Sequence, residues 1–254
     1  MRRGILFAGA LTASLAFAGS AAAVEINVYS AGAVQEAERA LAADFTRLTG
    51  NKVNFTVGTV GQIQEKLKSG APADVIVVSA PALEQLEKAG EVRSASAAPL
   101  GRIGIGVAVK EGAAVPDLST PEKFKDAMLK ATSVTYMDPG QGASSGIATA
   151  RVMKDLGIAD KMAKKTKLTQ TGYSADRVAS GEVEFAIQNV SEIVPVKGVK
   201  VAGMLPEPLQ VYTAYAAGVA TNSINPKGAT DFIRYLTRAE SAAHWKDAGI
   251  EPAH

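Results

Sequence analysis

The chain has 254 residues, with 27 Lys and Arg against 25 Asp and Glu, two histidines and no cysteine. The near balance of charge argues against a nucleic-acid partner, and the lack of cysteine excludes disulfides and thiol chemistry. Both histidines, His244 and His254, lie at the far C-terminus, so a histidine metal site or a Ser-His-Asp triad is hard to build. We therefore expect neither a metal nor a cofactor.

Residues 1–23 have the features of a secretory signal peptide. Arg2 and Arg3 precede an apolar run, and three alanines at 21–23 form a small-residue cleavage site. The run is too short and too rich in Ala and Gly for a membrane span, and a lipid anchor needs a cysteine that the chain lacks. Without these two arginines, the chain has 25 basic and 25 acidic residues, so the net charge of the predicted mature protein is near zero. We predict a periplasmic monomer without a membrane anchor.

The first strand and helix are joined by a turn of small residues. An apolar run at 26–29 predicts a buried strand, and the helix that follows places Leu41 and Phe45 on an apolar stripe and Glu38 off it. Between them, Gly32 and Ala33 leave the backbone bare. Because a helix N-terminus has unpaired N–H groups and the positive end of the helix dipole, this turn favours anions.

Two more turns of small residues precede helices. Residues 58–62 follow a strand at 52–57 and lead into a helix predicted over 63–68. Residues 138–146 lead into a helix predicted over 147–156, with Ser144 or Ser145 as its N-cap. The sequence therefore predicts three backbone-lined turns of one kind.

The remaining elements alternate in the same way. A strand is predicted over 74–78 and helices over 82–89, from 121, from 173, over 229–236 and over 239–248, with further strands over 134–137 and 184–188. Strands alternating with helices predict parallel sheets. Two long glycine-marked apolar runs, 102–110 and 210–221, are interpreted as strands that cross between two lobes. Two lobes so joined describe a hinged cleft that closes on a small ligand.

Four segments carry a resemblance to a known family. They are VYSAGAVQEA at 28–37, GAPADVIVVSA at 70–80, the Asp138-Pro139 turn and residues 177–189. Through them the chain resembles periplasmic solute-binding proteins of the molybdate-binding type, over essentially the whole mature length. The resemblance implies the type II binding-protein fold, with two α/β lobes of mostly parallel sheet flanked by helices. It implies a first lobe of 24–102 plus 216–254, a second of 103–215, and an ABC transporter permease as partner.

The ligand positions depart from that family. Its members hold a tetrahedral oxyanion with a serine in each of the first two turns and a tyrosine after a late strand, where this chain has Ala33, Val60 and Asn189. Each lost hydrogen bond to a charged group is worth about 1.5–3 kcal/mol. We therefore expect an organic di- or tricarboxylate rather than molybdate. The predicted ligand-binding residues are Gly32, Ala33, Gly58, Thr59, Val60, Gly61, Ser144, Ser145, Tyr173 and Asn189.

Several functions remain open at this stage. A binding protein for a small anion is one, and an aconitate isomerase, which resembles the same wider group, is another. Isomerisation needs a base within hydrogen-bond reach of the substrate; the candidates are Glu36, Asp138, Tyr173 and Glu192, none of which is assigned a catalytic role. Arg177 is a candidate carboxylate partner. Oxyanion binding and a surface antigen with a vestigial cleft are the further alternatives.

Overall fold

The computed structural model describes residues 23–253, so the signal peptide predicted for residues 1–23 lies, apart from Ala23, outside the described residues. The N-terminal elements are β1 Glu25–Ala31, α1 Gln35–Thr49, β2 Lys52–Gly58, α2 Val60–Lys68, β3 Val75–Ser79, α3 Ala80–Lys88 and β4 Ala98–Lys110. The middle contains α4 Pro121–Lys130, β5 Val134–Thr135, α5 Ser144–Asp155, α6 Ala159–Ala163, α7 Ala175–Ala179, β6 Phe185–Asn189 and β7 Val199–Met204. The C-terminal elements are β8 Tyr212–Val219, α8 Pro226–Leu236, α9 Ala242–Asp247 and β9 Glu251–Pro252.

The strands run in the order β2-β1-β3-β8-β4-β6-β5, with β7 and β9 also paired to β4. The β2-β1-β3 group and the β5-β6 pair are parallel. The long strands β4 and β8 pair antiparallel with their neighbours and with each other. The predicted α/β fold is confirmed, and its parallel portions lie on either side of the two long strands.

The hydrophobic core is divided near the middle of β4. One cluster is built from residues 26–103 and 215–250, and two neighbouring clusters are built from residues 105–205. Ile103 belongs to the first and Ile105 to the second, so one strand passes from one core to the other. The residue limits given above for the two lobes remain a prediction. Among residues 23–253, no helix is long and apolar enough to cross a membrane.

The predicted exposure of Glu38 is wrong. Glu38 is fully buried in α1, together with Ala37, Leu41 and Phe45. Its position is three residues before Leu41, which places it on the helix face that packs against the sheet. Its carboxyl is hydrogen-bonded to the hydroxyl of Ser30 in β1, and burial raises the pKa of Glu38 to about 8.

Asp74 of the GAPAD segment joins the two ends of the chain. Its buried carboxylate accepts hydrogen bonds from the Asn27 amide at 2.9 Å, from the Ser223 hydroxyl at 2.6 Å and from the Asn225 amide at 3.0 Å. These bonds tie β1 to the loop that follows β8. The most recognisable segment of the sequence therefore serves the framework of the fold.

Candidate functional site

A cavity of about 310 Å³ lies where the three predicted turns meet. Nine of the ten predicted ligand-binding residues line it, namely Gly32, Ala33, Gly58, Thr59, Val60, Ser144, Ser145, Tyr173 and Asn189. Ten further residues that had not been predicted as ligand contacts also line it, and they include Gln35, Gln62, Met137, Glu192 and Tyr215. Whether these residues contact a ligand remains a prediction, but the sequence located the cavity that they form.

Gly61 is the predicted residue that does not line the cavity. Its amide donates to the carbonyl of Gly142 at 3.3 Å, and a Cβ on Gly61 would lie 3.0 Å from the Gly142 Cα. Gly142 has a φ of 66°, which favours glycine. The two glycines let the backbones of the second and third turns touch, so Gly61 serves the contact between turns.

The second turn is held by a capping box. Thr59 is the N-cap of α2; its hydroxyl accepts from the Gln62 amide at 3.1 Å, and the Gln62 side chain accepts from the Thr59 amide at 2.9 Å. The helix therefore begins at Val60, three residues earlier than predicted, because this reciprocal pair satisfies its first N–H groups. The Thr59 hydroxyl also donates to the carbonyl of Gln141, which joins the second turn to the third.

The third turn departs from the predicted cap. Its helix, α5, begins at Ser144, and the N-cap is Ala143, without a side-chain capping bond. Neither serine is the cap, because both already lie inside the helix. The Ser144 hydroxyl is instead hydrogen-bonded to the Tyr215 hydroxyl at 2.9 Å, and Ser145 is buried. The first N–H groups of α5 have no partner within the helix, and Ala143, Ser144 and Ser145 line the cavity.

Tyr173 connects the two sides of the cavity. Its hydroxyl accepts from the Gln35 amide at 2.7 Å and donates to the Glu36 carboxylate at 2.9 Å. Burial, followed by the hydrogen bond to Glu36, raises the pKa of Tyr173 above its ordinary range. This bridge and the contacts of the second turn to the third link the elements that surround the cavity.

Glu192 is the acidic side chain of the cavity. It is 8% exposed, and its Oε2 accepts from the Asn189 side-chain amide at 2.9 Å. Burial raises the pKa of Glu192 to about 7, although the bond from Asn189 acts in the opposite direction. The nearby hydroxyl of Tyr215 has a raised pKa, first through burial and then through the Glu192 charge.

The other candidate bases lie elsewhere. Glu36 is exposed and reaches the cavity only through Tyr173. Asp138 accepts from the Gly140 amide at 2.8 Å and from the Gln170 side chain at 3.0 Å, and so braces its own turn. Arg177, the candidate carboxylate partner, lies 3.5 Å from Glu182 and outside the cavity lining.

The cavity lining is rich in donors and free of fixed positive charge. Among the described residues that line it, none is Lys, Arg or His. No cluster of three or more His, Cys, Asp or Glu that could hold a metal occurs within residues 23–253. An anion here would be held by N–H groups at helix starts and by hydroxyls, as is usual where helix N-termini converge.

Comparison with known proteins gives a family and a fold. The family model for "Bacterial extracellular solute-binding protein" matches residues 26–251. An aconitate isomerase from Pseudomonas sp is 30% identical over 234 residues, which is 89% of this chain and 87% of that protein. The periplasmic molybdate-binding protein of Azotobacter vinelandii superposes with a TM-score of 0.75 at 21% identity, over 89% of this chain and 98% of that one. The sulfate-binding protein of Mycobacterium tuberculosis gives 0.71 at 18% identity, over 91% and 87%.

Proposed function

Since the chain belongs to the family of bacterial extracellular solute-binding proteins, we propose that it binds a small organic di- or tricarboxylate in its cleft and delivers it, in the periplasm, to an ABC-type permease. The observation that carries this proposal is the convergence of three helix starts on one closed cavity. Such a cavity suits an anion whose charge is spread over several oxygens.

A carboxylate is favoured over a tetrahedral oxyanion by what the turns lack. Ala33 and Val60 offer only backbone groups, and the hydroxyl of Thr59 is already used as a helix cap and as a donor to Gln141. The other hydroxyls of the lining belong to Ser144, Ser145, Thr171, Tyr173 and Tyr215, and those of Ser144 and Tyr215 are bonded to each other. The first two turns therefore offer mainly backbone N–H groups, which suit a planar carboxylate.

A second candidate is the interconversion of cis- and trans-aconitate, favoured by Glu192. The reaction removes a proton from a carbon beside a carboxylate, shifts the double bond and returns the proton to another carbon, so it needs a base in the cavity. Of the four candidate bases, Glu192 brings a carboxyl group into the lining. The similarity to an aconitate isomerase adds support from the sequence.

One experiment separates these candidates. Purified protein of residues 24–254 is incubated with cis- or trans-aconitate, conversion is followed by NMR, and the melting temperature is recorded on the same samples. A thermal shift without conversion supports the binding protein, since a ligand that binds only the folded state stabilises it by about 2.7 kcal/mol at a hundredfold excess over Kd. Conversion that Glu192→Gln abolishes and Glu65→Gln retains supports the isomerase.

The proposed ligand class has its own counter-test. Molybdate and tungstate are screened on the same plate as di- and tricarboxylates. An increase in melting temperature with either oxyanion and with none of the carboxylates would contradict the proposal. It would support oxyanion binding instead.

A further inference from the structure

The cavity combines an anion site with a buried carboxyl group. Glu192 is more than nine-tenths buried, and Asn189 holds its Oε2 at 2.9 Å. A Cβ built on Gly32, in the first turn, would lie 3.7 Å from its Oε1, and the side-chain amide of Gln188 is a second donor near the carboxyl group. The Oε1 of Glu192 therefore lies beside the turn that is expected to hold the anion.

The side-chain oxygen of the neighbouring Asn189 lacks a donor within residues 23–253. The Oδ1 of Asn189 is buried and has no hydrogen-bond partner among the described residues, although Asn189 lines the cavity. A buried acceptor without a donor is costly. An anion bound in this cavity, itself only an acceptor when fully ionised, would compete with Asn189 Oδ1 and the Glu192 carboxyl group for the nearby donors.

The surrounding elements supply no compensating charge. The groups that face Glu192 are the side-chain amides of Asn189 and Gln188 in β6 and the hydroxyls of Tyr215 in β8 and of Tyr173, the last of which is bonded to Glu36. The turn at 32–34, the β4 segment 103–106 and the loop at 248–250, which pack near it, contain no titratable side chain. When two negative groups share a dry site, ionisation of both is disfavoured and one of them holds a proton.

We propose that Glu192 shares one proton with the bound anion, so that a fully ionised ligand carries one proton into the closed cleft. The inference rests on the proposed function, because it requires an anion in this cavity. The proton comes from solvent whenever Glu192 is ionised in the free protein, and it lies between Oε1 and a ligand oxygen in the complex. Glu192 is in this way a specificity-determining residue that favours anions able to share a proton.

The coupling has a measurable consequence. Above about pH 7, ligand affinity falls about tenfold for each unit of pH, because one proton is taken up for each ligand bound. A glutamine at 192 keeps the shape and provides a donor without titrating. We therefore expect Glu192→Gln to bind with an affinity that does not change with pH in that range.

Calorimetry with trans-aconitate at about pH 8, where the free acid is fully ionised, measures the proton directly. Phosphate and Tris have different ionisation enthalpies. The binding enthalpies measured in the two buffers therefore differ by that difference multiplied by the number of protons taken up. We expect the wild type to take up about one proton for each ligand bound. The exposed control on α2, Glu65→Gln, should do the same, and Glu192→Gln should take up none.

The outcomes separate this inference from the proposed function. Binding of trans-aconitate by the wild type with no proton uptake would overturn the role of Glu192 and leave carboxylate binding intact. No binding of trans-aconitate, cis-aconitate or citrate would overturn the proposed function, and the inference with it. The wild-type measurement is decisive by itself, so it does not depend on the folding of the variant.

Discussion

Replacing the buried Glu38 by glutamine is expected to remove much of the pH dependence of stability. Burial raises the pKa of Glu38 from its ordinary value of 4.5 to about 8. A tenfold change in proton affinity corresponds to about 1.4 kcal/mol. The native state thus binds a proton that the unfolded chain has lost, so the free energy of unfolding is highest below about pH 4.5 and declines until about pH 8.

The local hydrogen bonds agree with a protonated Glu38. The Ser30 hydroxyl contacts both the Glu38 carboxyl and the Ala31 carbonyl oxygen. A protonated carboxyl donates to Ser30, which leaves the Ser30 hydrogen free to donate to Ala31. Ionised Glu38 loses this chain of donors, and its Oε1 has no partner within residues 23–253.

The assay is urea unfolding at about pH 5 and about pH 8. Between these values the Glu38 contribution predicts a loss of about 3 kcal/mol for the wild type that Glu38→Gln does not show. Glu192 adds its own smaller loss to both proteins, since its pKa is raised only to about 7. Glu65→Gln, on the exposed face of α2, should follow the wild type. Equal losses in wild type and Glu38→Gln would refute the assignment of Glu38 as a buried acid.

Three further predictions concern the framework and the closed cleft. Gly61→Ala should weaken trans-aconitate binding about tenfold in calorimetry, because its Cβ would lie 3.0 Å from the Gly142 Cα. The melting temperature of the free protein should change little, since opening of the cleft relieves the clash. Unchanged affinity would contradict this prediction. Asp74→Ala should lower the free energy of unfolding by about 3 kcal/mol or more, since three donors lose their acceptor; a loss below the error of urea unfolding would contradict it. Tyr215→Phe removes the bond to Ser144 and should raise Kd about fivefold, whereas wild-type affinity would show that this hydroxyl does not position the site.

The sequence predicted the site through its backbone. A turn of small residues before a helix is a local pattern, and local patterns remain readable in one sequence. This is why Gly32, Gly58 and Ser144 were identified and all three line the cavity. The helix starts were less accurate, because the capping box of Thr59 extends α2 to Val60.

The roles of residues that depend on tertiary contacts could not be predicted from the sequence. Tyr215 lies in the middle of an apolar strand, and only the pairing of β8 with β3 and β4 brings its hydroxyl to Ser144. Glu38 was placed off the apolar stripe of its helix, and nothing in its own neighbourhood in the sequence signals the bond to Ser30. Glu192 was one of several candidate acids in the sequence. Only the structure distinguishes it from Asp138, because Glu192 lines the cavity whereas Asp138 braces its own turn.

The position of β8 has a consequence for the order in which the chain can fold. β3 and β4 follow one another in the sequence but are separated in the sheet by β8, which is made more than a hundred residues later. Until β8 emerges, both strands expose open edges, and Asp74 lacks its partners at Ser223 and Asn225. The N-terminal half of the chain therefore cannot complete its part of the sheet until the residues of β8 and of the loop after it have been made.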